Sequence, residues 1–289
     1  IIDMILEEPE AFKLSLKKHL AEGFSFVEAR ARAAEEIIPG SARVLAGSNN
    51  TLALAYMARI KKKSYALAPL PVLREGAAYN SEKLEEIASA AAIRRALRDG
   101  RTDEAFASMP EASARIFKRA LADGRLCLDY ENWRRLLRAL LLRARPEELR
   151  GFAEISEGIE YKLRDEALSA QSFEEWLDRC TSKRYPAGRL RRAAVHTALG
   201  LGHWFNRAAQ RLGPPYIRPL AMNETGRALL HEMKKNAALP IVTTYGQASR
   251  LSPYAAECAR FELLACELWE ELIPGGRFGE EHKRRVIMA

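Results

Sequence analysis

The 289 residues carry 46 Lys+Arg against 38 Asp+Glu, a net charge of +8 and a pI near 9.4, with 48% hydrophobic residues. Such a chain is too apolar for disorder and long enough for one large domain or two ordinary ones, and its mild basic excess points to a polyanionic partner. No stretch approaches the roughly 18 apolar residues of a spanning helix, and the acidic residues 1–10 are no signal peptide, so no membrane role is expected.

In chain order, residues 9–21 repeat Phe12, Leu16 and Leu20 at helical spacing and stop at Gly23. Ser25 with Glu28 three residues on reads as a capping box opening a second helix, which IIPG at 37–40 ends. A third helix starts near Asn49-Asn50, the usual place for an N-cap, and Lys61-Lys62-Lys63 complements its dipole. Residues 65–74 read as an extended segment whose two prolines allow only an edge strand or a strand end. Residues 81–97 read as a helix, and from Thr102 to Arg211 only helices follow. A short β-α-β element is then expected over residues 216–244, followed by a helix over 253–272 and a basic tail. Cys127, Cys180, Cys258 and Cys266 form no C-x-x-C pair and read as reduced core thiols of a cytoplasmic protein.

The strongest physical signal is residues 179–223, which hold nine Lys and Arg and no Asp or Glu. Lys183, Arg184, Arg189, Arg191 and Arg192 cluster within it, with Tyr185 and Trp204 available to stack on bases. Guanidinium groups bind phosphate bidentately and release counterions, so this segment is expected to form one continuous cationic face for an RNA backbone. The plainer reading is a solvated helix face with the aromatics in the core. Leu190, Val195 and Leu199 are expected to face inward. A second run of arginines between 115 and 145 is partly balanced by acids and reads as a solvated face.

Ser89 near a helix start with Arg94 a turn later can hold phosphate, through N-terminal amides, dipole and guanidinium together. Taken singly, Arg94 is an ordinary surface arginine on an Ala-rich helix. Arg74, at the end of the extended segment, could reach a cleft where α/β sheets bind ligands. There is no Walker A loop, no G-x-G-x-x-G, no H-E-x-x-H and no H-x-G-H.

The ordered set GFSFVEAR (23–30), SNNTLALAY (48–56), Arg74 with Tyr79, IASAAAIR (87–94), TSKRYP (181–186) with RLRR (189–192), and YIRPLAM (216–222) resembles the tRNA(Met) cytidine acetate ligase family of nucleotidyltransferases. The resemblance implies a mainly α chain with a small α/β part. Residues 1–100 would be the C-terminal portion of a Rossmann-like nucleotide-binding domain. Residues 101–289 would be a helical tRNA-binding domain with a small mixed sheet. It implies an ATP-dependent ligase that activates acetate as acetyl-adenylate and acetylates the wobble cytidine of elongator tRNA(Met). By position Asn49, Arg74, Ser89 and Arg94 match ATP-contacting residues, and Lys183, Arg184, Tyr185, Arg189, Arg191 and Arg192 match the basic tRNA segment. Magnesium fits ATP chemistry, but no carboxylate stands out as its ligand and no protein metal site is expected. Two departures stand out. Ala91 replaces the Thr of the family's S-x-T-x-x-R. The strand and H-x-G-H loop that open the family have no counterpart, so the chain is expected to be a fragment inactive alone. A noncatalytic tRNA-binding module and a small-molecule nucleotidyltransferase remain as alternatives.

Overall fold

The structure is a computed structural model, and it describes residues 1–73, 84, 88–128 and 130–288. The chain divides into two compact units, Ile1–Ala114 and Arg115–Ala289.

The first unit is helical. α1 (Ile2–Glu7), α2 (Glu10–Ala21), α3 (Phe26–Ile37), α4 (Ser41–Ala46) and α5 (Ser48–Lys63) bury Met4, Phe12, Ala33, Ala34 and Leu45 together. The alanines let α2 and α3 approach closely, and His19 bridges them, 3.0 Å from Glu22 and 3.0 Å from Glu36. Ser25 caps α3 by accepting the Glu28 N–H at 3.3 Å, while the Glu28 carboxylate turns to Arg32 instead of closing the box. α4 is an element the sequence reading lacked. Two carboxylate oxygens of Glu35 accept the N–H groups of Gly40 and Ala42, which starts that short helix. After α5, residues 65–73 form no strand; Leu70, Val72 and Leu73 lie open to solvent, and the prolines withhold the N–H groups a ladder needs. The helix expected over 81–97 is α6 (Ala90–Arg98), which packs on α7 (Thr102–Ala107). α8 (Glu111–Ala122) carries the chain across the division between the units.

The second unit continues with α9 (Glu131–Arg143), α10 (Pro146–Arg150), α11 (Ile159–Ser169), α12 (Phe173–Cys180), α13 (Ala187–Leu199) and α14 (His203–Leu212). Leu137, Leu141, Leu149, Ile155, Leu163, Trp176, Cys180 and Leu190 form its main core. Of the positions expected inward on α13, Leu190 is buried but Val195 is 46% exposed. Val195 instead lines an open groove.

A second, smaller core gathers Tyr216, Val242, Tyr245, Ala255 and Ala259. Here the expected β-α-β element is reduced to a parallel bridge, Ile217 to Ile241, on either side of α15 (Glu224–Asn236). Parallel pairing needs such a crossover helix, and Pro219 and Pro240 keep the ladder short. The sheet proper is β1 (Ala221–Met222) paired in parallel with β2 (Ile287–Met288). The basic tail is therefore part of the fold. Between these strands lie α16 (Tyr245–Ala248), α17 (Pro253–Leu272) and α18 (Glu280–Lys283). The turn after α17 needs its glycines: a Cβ on Gly275 would lie 2.2 Å from the Asp123 carbonyl oxygen, and one on Gly276 would lie 2.1 Å from that of Glu270.

Candidate nucleotide and RNA sites

In the first unit, Ser89 is the N-cap of α6. It is buried, and its Oγ accepts the Ala92 N–H at 3.0 Å. The Ala90 and Ala91 amides head the helix, beyond reach of any intrahelical carbonyl. Arg94 follows one turn on, exposed, with no acid in the first turn to neutralise the positive helix end. Asn49 is not an N-cap as expected. Gly47 takes that place, and Asn49 lies in the first turn of α5, half-buried. Asn50 folds back so tightly that a Cβ on Gly47 would meet its Nδ2 at 3.0 Å. No hydrogen bond or ion pair among the described residues links α5 to α6. Arg74 and Tyr79 lie outside the described residues.

In the second unit, TSKRYP forms a turn between α12 and α13. The Ser182 N–H donates to the Tyr185 carbonyl at 3.0 Å, and the Tyr185 N–H donates to Ser182 Oγ at 3.1 Å. Lys183 and Arg184 occupy the two central positions and project into solvent. Pro186 then caps α13 without offering a side-chain acceptor, and no acid lies in the first turn. A positive helix end thus stands beside Lys183, Arg184 and Arg192.

The expected continuous cationic face is not what forms. Five of the nine cations turn to carboxylates from elsewhere in the unit: Arg179 to Glu166 and Glu175, Arg184 to Glu157, Arg189 and Arg192 to Glu154, and Arg218 to Glu262 and Glu281. An acid-free run in sequence attracts acids in space, because uncompensated guanidiniums would repel one another. Tyr185 is likewise unavailable for surface stacking. It is buried, its hydroxyl donates to the Ser156 carbonyl, and the Arg189 guanidinium covers its ring at 4.3 Å.

The residues the sequence reading missed are Glu154 and Glu157, in the loop over residues 151–158. Both adopt left-handed backbone, φ 70° and 61°, which costs a non-glycine residue roughly 1–2 kcal/mol. The basic segment holds this loop in place. Arg189 donates to the Glu154 carbonyl and Ser156 Oγ, His203 Nε2 lies 2.9 Å from the Ile155 carbonyl, and His196 Nδ1 lies 3.3 Å from that of Ala153. The available signal was two glutamates inside a Gly-bounded loop (GFAEISEG). Around the turn, Lys183, Arg184, Arg189, Arg191 and Arg192 still outnumber these two carboxylates. Among the described residues Lys183 and Arg191 have no hydrogen-bond or ion-pair partner. Exposed ion pairs such as Arg184–Glu157 contribute about 0–1 kcal/mol and are readily exchanged for a phosphate.

Among the described residues no three His, Cys, Asp or Glu side chains group to hold a metal, and no helix is long and apolar enough to cross a membrane. Among the described residues no disulfide joins any of the four cysteines.

These features accompany a clear likeness to known proteins. The family described as HIGH Nucleotidyl Transferase matches residues 1–282, which sets the class: nucleotidyl transfer on a largely helical chain. A Clostridium perfringens protein named tRNA(Met) cytidine acetate ligase is 31% identical over 291 residues, 97% of this chain and 69% of its own length. One of the same name from a Thermoanaerobacter species is 30% identical over 250 residues, 86% of this chain and 61% of its own. Apo Thermotoga maritima TmcAL has the same fold, with a TM-score of 0.89 at 24% identity, covering 100% of this chain and 73% of that one. The form bound with alpha-thio ATP gives 0.86, also at 24% identity, covering 100% and 72%. The chain belongs to the tRNA(Met) cytidine acetate ligase family. It spans about two thirds of the length of the curated relatives it matches.

Proposed function

We propose that the protein is a ligase that uses ATP to join acetate to the wobble cytidine of elongator tRNA(Met). The observation that carries this reading is the roughly 30% identity, over most of the chain, to proteins of that name. In the first step an acetate oxygen attacks the α-phosphorus, pyrophosphate leaves, and acetyl-adenylate forms. In the second, the cytidine amine attacks the acetyl carbon; AMP departs with the bonding electrons, and the amine loses a proton.

Residues 1–100 hold the nucleotide in this reading, and residues 101–289 hold the tRNA. The Ala90 and Ala91 amides and the Arg94 guanidinium take phosphate oxygens, while Ser89 fixes the helix start that aims them. Asn49 and Arg74 contact the nucleotide elsewhere. Ala91 supplies no hydroxyl here, so Arg94 carries more of the phosphate binding. Lys183, Arg184, Arg191 and Arg192 grip the RNA backbone beside the α13 N-terminus. Tyr185 and Arg189 shape that surface from behind. Magnesium, if used, would be held mainly by the triphosphate and would neutralise its charge. The cytoplasm, where charged tRNA and ATP meet, is the site of action.

The test is transfer of labelled acetate to a tRNA(Met) transcript by the full-length protein. Label enters tRNA only with ATP, and AMP accumulates in step. Arg94→Ala removes a charge-assisted contact of about 1.5–3 kcal/mol and lowers kcat/KM for ATP roughly 10- to 100-fold. A second reading, a tRNA-binding module without catalysis, rests on the cation-rich turn at residues 183–192 alone. Tight tRNA binding with no label transferred would select it.

A further inference from the structure

On the second unit, α9, α13 and α17 border an open groove of about 340 Å³. Its walls follow helical spacing. α13 contributes Arg191, Val195 and Leu199, a residue each turn on one face, and α17 contributes Trp269 from its own facing stripe. Trp133 and Tyr130 line it too, and the Phe173 ring lies 5.5 Å from Tyr130 and 6.3 Å from Trp133, so the aromatic wall is assembled before anything binds. Trp269 and Val195 are each 46% exposed and Tyr130 38%, a contiguous apolar patch of the kind that marks a binding surface.

One charged side chain enters this lining. Arg191 is exposed at the groove, and among the described residues it has neither a hydrogen bond nor an ion pair. Its neighbours Arg189 and Arg192 share Glu154, which faces the other side of α13. The occupant must therefore combine a flat, largely apolar body with an anion beside it. A nucleotide in unpaired RNA has that form: a base that stacks on aromatic rings and a phosphate that suits a guanidinium. The volume falls within the range of small-ligand pockets. A second protein copy would have to place one of its carboxylates opposite Arg191, whereas RNA brings an anion with every residue.

We propose that this groove takes one unstacked base of the bound RNA, with an adjoining phosphate on Arg191. The inference rests on the tRNA-binding reading above and adds to it the place where the protein holds a base.

The experiment measures affinity of the full-length protein for a tRNA(Met) transcript across a salt series, for the wild type, Trp269→Leu and Arg191→Gln. Leucine keeps the apolar wall and removes the stacking face, so Trp269→Leu weakens binding about fivefold or more at every salt concentration without changing the slope. Arg191→Gln weakens binding and lowers the log–log salt slope by about one. Should the leucine variant fail to fold, Trp269→Met, which also lacks a stacking face, decides in its place. Wild-type affinity in Trp269→Leu at every salt concentration would overturn the groove proposal while leaving the tRNA reading standing. A shift from dimer to monomer with unchanged tRNA affinity would assign the groove to a second copy and overturn it as well. A wild type that does not bind tRNA removes both readings at once.

Discussion

Cys180 packs wholly inside the second unit, and burial, with the negative charge of Glu166 nearby, pushes its thiol up to about 12. At ordinary pH it stays protonated, and the protonated form is a poor nucleophile. A thiol reagent near neutral pH is expected to leave Cys180 unlabelled until the protein unfolds, when it becomes reactive. Mass spectrometry of digested, labelled protein checks this, and rapid native labelling at Cys180 would contradict the packing. The burial of Cys180 is legible because an isolated cysteine on an apolar helix face has few other roles, but Cys127, Cys258 and Cys266, expected in the core on the same ground, are only partly buried. Tyr185 was misread for a related reason. Its position in a basic run invites stacking on bases, but only three-dimensional packing reveals that its hydroxyl is already engaged by Ser156 and its ring by Arg189.

At the level of elements, the end of α17 depends on Glu270. Its carboxylate accepts from Arg125 Nη2 at 2.7 Å and from the Arg277 N–H at 2.7 Å, while Arg125 also donates to the Gly275 carbonyl at 3.1 Å. The Arg125 hydrogen bond, ahead of the others, holds the Glu270 carboxyl below its ordinary value of 4.5. A lowered folded-state pKa means the unfolded chain binds the proton more readily. The stabilisation is therefore full above about pH 4.5 and is lost as pH falls through the folded-state value. Glu270→Gln is expected to cost about 1–3 kcal/mol near neutral pH, with the gap in Tm narrowing on acidification. A constant gap would mean the charge is not what Arg125 uses. None of this pairing was legible beforehand, since 145 residues separate the partners. Most helices were legible, because their apolar spacing and caps are local, as at Ser25; the six-residue helices α1 and α4 are too short to show a period. The strands were not, because two-residue ladders interrupted by Pro219 and Pro240 carry no period.

Across the whole molecule, the net charge of +8 agrees with the tRNA partner proposed above but is a poor guide to the surface. Composition counts charges but does not show which carboxylates fold back onto which arginines. The loop with Glu154 and Glu157 does this at the basic segment, leaving Lys183 and Arg191 without a partner among the described residues and Arg184 in an exposed pair. That Arg94 follows Ser89 by about one helical turn was readable, but the helix start at Ser89 was not, since the periodicity ran on from residue 81. Arg74 lies outside the described residues. The most direct test is tRNA(Met) binding between about 50 and 200 mM salt, for the wild type and for Lys183→Glu with Arg184→Glu. Wild-type affinity is expected to fall steeply and linearly on logarithmic axes. The doubly substituted protein, its fold unchanged because both side chains are exposed, should bind far more weakly and with a slope lower by about two. Equal affinity and slope in the two proteins would contradict the account.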